Sequence, residues 1–124
     1  MSIKRISSNG LYEDKIGYCR AVIAGDYIHV SGTTAQGETV SPDVVAQCKS
    51  AIETIERALK EAGAGLEDVV RVSYYLPDHR DFEPCWDTLS SAFGKNPPAA
   101  TMIECGLIDP RYKIEIEVTA YKPR

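Results

Sequence analysis

Residues 97–119 read PPAATMIECGLIDPRYKIEIEVT, and this stretch decides the fold. Its second half alternates cleanly, with Ile114, Ile116 and Val118 on one face and Lys113, Glu115 and Glu117 on the other. An apolar face repeating with period two predicts a strand, Lys113–Tyr121, covered on one side. The first half, Ala99–Cys105, predicts another strand, which opens behind Pro97-Pro98 and ends at a Gly-Leu-Ile-Asp-Pro loop. Strand interiors disfavour glutamate unless solvent, an ion pair or a function accommodates it. The acidic face therefore points to a lined pocket or an interface.

Working outward, Asp81 is placed to cap a helix carrying Phe82, Cys85, Trp86, Leu89 and Phe93 at helical spacing, with Gly94 at its end. Pro84 fits because it falls in the first turn, where its missing N–H is not needed. Val69–Leu76 (VVRVSYYL) is β-branched and aromatic, so it reads as a strand with Val70, Val72, Tyr74 and Leu76 on one face. Ser41-Pro42-Asp43 predicts a helix start: a hydroxyl cap, a first-turn proline and a carboxylate near the positive helix end. Val44, Cys48, Ala51, Ile52, Ile55, Leu59 and Ala62 follow as one apolar stripe. Gly63 is placed to end that helix in a left-handed conformation. Thr33–Val40 is polar and reads as loop. Arg20–Ala24 and Tyr27–Ser31 flank Gly25-Asp26, a hairpin signal, and a short strand near Ile3–Ser7 precedes them.

The order β-β-α-β-α-β-β behind that short strand predicts an α+β fold. It would have a mixed sheet of about six strands with two helices on one face. At 124 residues the chain is expected to form a single domain, 1–124. The face without helices carries Tyr, His, Ser, Glu and Thr among aliphatics, too mixed for an ordinary solvent face. Neighbouring subunits would cover it, so a closed homo-oligomer is expected.

A net charge of -4 and a pI near 5.2, with Lys and Arg scattered, argue against a non-specific nucleic-acid binder. No run approaches the roughly 20 apolar residues of a membrane span, and the N-terminus has no apolar core of signal-peptide length. No membrane association and a cytoplasmic location are therefore expected. Cys19, Cys48, Cys85 and Cys105 form no CxxC pair and read as reduced thiols, with Cys48 and Cys85 on apolar stripes. His29 and His79 lack ligand spacing, so no metal is expected. The chain has no Walker loop, GxGxxG or GxSxG, and no cofactor is expected.

Glu115 is the candidate catalytic group: partial burial at a subunit boundary would raise its pKa and let it handle a water or substrate proton. The bland reading is a solvated ladder of Lys113, Glu115 and Glu117. Arg20 and Arg111 could each hold an anion bidentately, or be plain surface arginines. Trp86 and the Tyr74/Tyr75 pair read as core or interface aromatics, with Trp86 also counted among the candidate ligand contacts.

With these elements in place, the chain resembles the RidA/YjgF family, small proteins also labelled endoribonuclease L-PSP-like or translation-initiation-inhibitor-like. The resemblance spans nearly the whole chain. It rests on Ile16-Gly17-Tyr18, Ile28-His29-Val30-Ser31-Gly32, the helix after Ser41, Asp81-Phe82, and Pro98-Ala99 followed by Lys113-Ile114-Glu115-Ile116-Glu117. It implies a chorismate-mutase-like α+β fold and a homotrimer with three small-molecule clefts between subunits. Members that deaminate hydrolyse imine or enamine products to 2-keto acids and ammonia. An arginine after the Pro-Ala pair clamps the substrate carboxylate, and a last-strand glutamate serves the attacking water. On this resemblance Glu115 matches the glutamate, Ser31 and Gly32 the Ser-Gly turn, and Tyr18 a cleft tyrosine. Thr101 matches a Ser/Thr position, and Met102 a position often occupied by cysteine. The arginine position is Ala100. Losing such a clamp costs at least about 100-fold in affinity for a carboxylate, because ~1.4 kcal/mol is tenfold and one charge-assisted bond is worth ~1.5–3 kcal/mol. Efficient 2-imino-acid deamination is thus not expected unless Arg20 or Arg111 reaches the cleft. The alternative is a non-catalytic binder of small metabolites. A ribonuclease or translation inhibitor draws no support from the residues.

Overall fold

The structure is a computed structural model describing residues 2–124. Its longest element is the helix that the apolar stripe predicts, α2 (Val44–Glu61). Its cap differs from expectation: Asp43, not Ser41, accepts the N–H groups of Val45 and Ala46. Ser41 Oγ instead takes the N–H of Asp43, so the carboxylate faces the positive helix end directly. Gly63 closes the helix with φ +79°, the conformation that a side chain resists.

Six strands form one sheet: β1 (Ile3–Ile6), β2 (Ala21–Ala24), β3 (Tyr27–Thr33), β4 (Val69–Leu76), β5 (Ala99–Glu104) and β6 (Glu115–Tyr121). Their spatial order is β1-β2-β3-β6-β4-β5. Only β4 and β5 are parallel, and their crossover carries α3 (Trp86–Phe93), as parallel pairing requires. The two strands of residues 97–119 are therefore not neighbours. β4 lies between them, because β6 pairs antiparallel with both β3 and β4. Sequence pattern locates strands, whereas long-range pairing sets their order.

Ile28, Val72, Ile114 and Ile116 meet Ile55 and Leu59 of α2 in the core, all essentially inaccessible to water. Val70 departs from its expected place and is 46% exposed. The β4–β6 register shifts between Val69 and Arg71, so Val69 fills the core position and Val70 bulges out. The second expected helix is also broken into pieces. Asp78, rather than Asp81, caps a 3-10 turn at His79–Asp81; a second turn, Glu83–Cys85, holds Pro84; regular helix begins only at Trp86. Before β2 lies a short helix not expected from sequence, α1 (Glu13–Ile16). Cys48 and Cys85 are both buried free thiols. Both are wholly inaccessible to water, and Cys85 Sγ lies 3.8 Å from Val44 O and 3.6 Å from Asp81 O, so burial rather than titration makes them core residues.

Candidate functional site

The alternation of β6 turns Ile114 and Ile116 into the core and leaves Glu115 half-buried on the other face. Gln47 helps to fix the start of this strand. Its buried side chain donates to Ser41 O at 2.7 Å and Arg111 O at 2.9 Å, and accepts from Lys113 N at 2.8 Å. Gln47 is a functional support with little sequence signal, a polar residue beside Cys48 on a buried helix side that also carries Thr54.

Across from Glu115, β3 changes register between Val30 and Thr33. Gly32 sits in this irregular segment, and a Cβ there would overlap the Glu115 carboxylate. Gly32 has no positive φ. The glycine is therefore explained by space, not by backbone conformation. Ser31 Oγ donates to Cys19 O at 2.6 Å, which ties the Tyr18–Arg20 segment to the same turn.

Arg20 lies on the far side of that turn and is only 5% exposed. Its Nη1 donates to Gly32 O and to Thr33 Oγ1, each at 2.9 Å, and its Nε donates to Ser8 Oγ at 3.2 Å. Tyr18 stacks near it, with the guanidinium carbon 5.6 Å from the ring centre. Arg20 is thus a buried structural cation beside the candidate site. Burial, then the charge of Glu117, raise the pKa of Glu115, and the Arg20 charge opposes them only in part. The Glu115 carboxylate accepts no hydrogen bond among the described residues.

Next on the open face, Tyr75 opposes Glu115 in register, and its hydroxyl donates to Glu117 Oε1 at 2.5 Å. That bond raises the Tyr75 pKa. Glu117 is therefore engaged, and the solvated ladder of three charged residues does not form as such. Thr101 lies farther along this face, where it accepts from Arg71 at 2.6 Å. Ala100 and Met102 share register with Val72 and Tyr74, hence the opposite face of the edge strand, and both are exposed. Within one chain, β4 separates β5 from β6. The structure thus gathers Glu115, Gly32, Ser31, Arg20 and Tyr18, and leaves Ala100, Thr101 and Met102 apart from them.

The other two named residues also lie elsewhere. Arg111 is held two-pronged by Asp109, with Nη1 reaching Glu38 O at 3.4 Å. Trp86 is 54% exposed on α3, edge-on to Phe82. Asp78, His79 and Glu104 bring their ligand-type atoms within 4.8 Å of one another. Arg80 already pairs with Asp78, and the His79 ring and backbone N–H both lie against Glu104 Oε2, so the carboxylates of this group are already engaged.

A mixed six-stranded sheet, closed by helices on one face and open on the other, is the chorismate-mutase-like α+β fold. The description Endoribonuclease L-PSP belongs to the family model matching residues 13–122. The chain belongs to that family, the RidA/YjgF family. It is 38% identical over 109 residues to a RutC family protein of Pyrococcus abyssi, covering 85% of this chain and 86% of the relative. Among solved structures it is similar to Rv2704 of Mycobacterium tuberculosis, a member of the YjgF/YER057c/UK114 family. There the TM-score is 0.90 with 40% identity, over 97% of this chain and 99% of that one. The YjgF-family protein NMB1025 of Neisseria meningitidis matches with a TM-score of 0.82 and 26% identity, covering 100% of this chain and 98% of that one.

Proposed function

We propose that the protein hydrolyses a small imine, enamine or related carbonyl metabolite, with Glu115 as the group that handles water. The observation that carries this reading is the Glu115 carboxylate itself: half-buried, free of hydrogen bonds among the described residues, and laid against a glycine that makes room for it. A raised pKa brings a carboxylate toward neutral pH, where it both takes and returns a proton efficiently. Glu115 removes a proton from water as the oxygen bonds to the imine carbon. Glu115 passes that proton to the imine nitrogen, giving a neutral carbinolamine. It then takes the carbinolamine hydroxyl proton and hands it to nitrogen as the C–O bond becomes C=O and the C–N bond breaks, so ammonia and the carbonyl product leave and the carboxylate is restored.

The cleft is formed between subunits of a homotrimer. On one chain Ala100 and Met102 lie on the face opposite Glu115, with β4 between the strands, so a pocket using them together with Glu115 needs a second copy. The open face and the edge strand also leave Val70, Met102 and Ile103 exposed, apolar surface that an assembly would cover. Sedimentation giving a monomer at micromolar concentration would break this part of the reading.

The substrate is uncharged or weakly anionic at the position that Ala100 faces. Arg111 pairs with Asp109, and Arg20 commits its Nε and Nη1 to Ser8, Gly32 and Thr33 rather than to the Ala100 position. The test is ammonia release across a panel of imines, comparing wild type with Glu115→Gln. A loss of at least about 100-fold is expected from removing a general base; equal rates would sink the proposal. Ala100→Arg is expected to improve turnover of 2-imino acids about tenfold, a gain read as kcat/KM on carboxylate-bearing substrates only. The missing clamp also favours a second reading, a non-catalytic metabolite-binding trimer. Thermal stabilisation by the panel without ammonia release would select it.

A further inference from the structure

A cavity of about 200 Å³ lies between α2 and the Ile6–Asn9 segment, apart from Glu115. One wall is the flank of α2, where Thr54, Arg57 and Glu61 recur at helical spacing; Arg20 forms part of the other side. Two buried groups mark it as built. Thr54 is 5% exposed, and its Oγ1 has no hydrogen-bond partner among the described residues. A buried hydroxyl left unpaired is destabilising, and rotation of the Thr54 side chain toward the cavity would give it a partner from solution. Arg20 uses Nε and Nη1 on Ser8, Gly32 and Thr33, which leaves Nη2 for a ligand.

Neither Arg20 nor Arg57 forms an ion pair among the described residues. Glu13 is close by but is not part of the cavity wall. Ser7, Ser8 and the Gly10 N–H occupy its carboxylate. The charges that line the cavity are thus two guanidiniums and Glu61, a net of one positive. Guanidinium groups and a hydroxyl donor together are chemistry for an oxyanion.

We propose that this cavity binds a small oxyanion of single negative charge, a carboxylate or monobasic phosphate, between Arg20 and Arg57, with Thr54 Oγ1 as a donor to it. The site does not rest on the hydrolytic reading of Glu115. Inorganic phosphate and lactate, titrated in separate arms into the full-length protein and followed by backbone amide NMR shifts, test it and separate the two chemistries. Saturable shifts at Ser7–Asn9, Thr54 and Arg57 are expected in at least one arm. Arg57→Ala, at an exposed position, should weaken that binding at least tenfold. Thr54→Val should weaken it at least threefold while leaving the melting temperature unchanged or higher. Absence of saturation in both arms overturns the proposal. So does unaltered affinity in Arg57→Ala, or a lowered melting temperature with unaltered affinity in Thr54→Val.

Discussion

Glu13 and Glu115 are both glutamates drawn at least partly out of water, and their surroundings treat them in opposite ways. Glu13 stands at the start of α1, where Ser7 Oγ, Ser8 N, Ser8 Oγ and Gly10 N all donate to its carboxylate at 2.7–3.1 Å. Burial alone would raise its pKa, but these bonds outweigh burial and hold it at about 2. Glu115 has burial without the bonds, and its pKa moves up. The difference teaches how one fold can satisfy one carboxylate fully and leave another unpaired. Depth is similar in kind; satisfaction is not.

The largest test of that contrast is Glu13→Gln. An amide cannot accept four donors as a carboxylate does, and about 2 kcal/mol of folding stability at pH 7 should disappear, after discounting for nearby solvent. Urea denaturation would show it as a lower midpoint with unchanged slope, and a midpoint equal to wild type would break the comparison.

The acid limb of the stability profile gives a second test. Glu13 has a folded pKa below its unfolded value. Its contribution is therefore full above about 4.5 and lost as the pH falls toward about 2. Glu115 has the reverse sign. Its folded pKa is raised, so its contribution is present below the unfolded value and lost as the pH rises through the folded one. Glu13→Gln should flatten the profile below pH 4.5, and Glu115→Gln should leave that limb unchanged.

The smallest effect expected is on Glu115→Gln at pH 8. Removing a poorly solvated charge should leave stability equal or up to about 1 kcal/mol higher, even as turnover falls. A stability loss comparable to that of Glu13→Gln would mean that Glu115 is a structural group after all.

Much of this arrangement was legible in the chain. The α2 stripe, the Gly25-Asp26 hairpin and the alternation of β6 follow from local periodicity and turn chemistry, which act over a few residues. The cap of α2 was misplaced by two residues because Ser41 and Asp43 are both good caps, and only the helix geometry chooses between them. The bulge at Val70 and the separation of β5 from β6 depend on strand pairing across the sheet, which no local pattern records. The site divides along the same line. Glu115 stood out because glutamate is unusual in mid-strand. The Glu13 bonds, the Gln47 clamp and the Tyr75–Glu117 pair join residues from 3 to 66 positions apart in sequence, and only folding brings most of them together.

Gly32 carries a consequence for variation in this protein. Its backbone is of a kind any residue can adopt, and the atom that an added methyl group would strike first is the tip of a flexible side chain, Glu115 Oε2. An alanine there pushes the carboxylate aside without disturbing the core. A screen that scores only soluble expression is expected to pass such a change, while one that scores the proposed hydrolysis is expected to reject it. If Glu115 carries the proposed chemistry, position 32 is where heritable damage to it would hide behind an intact fold.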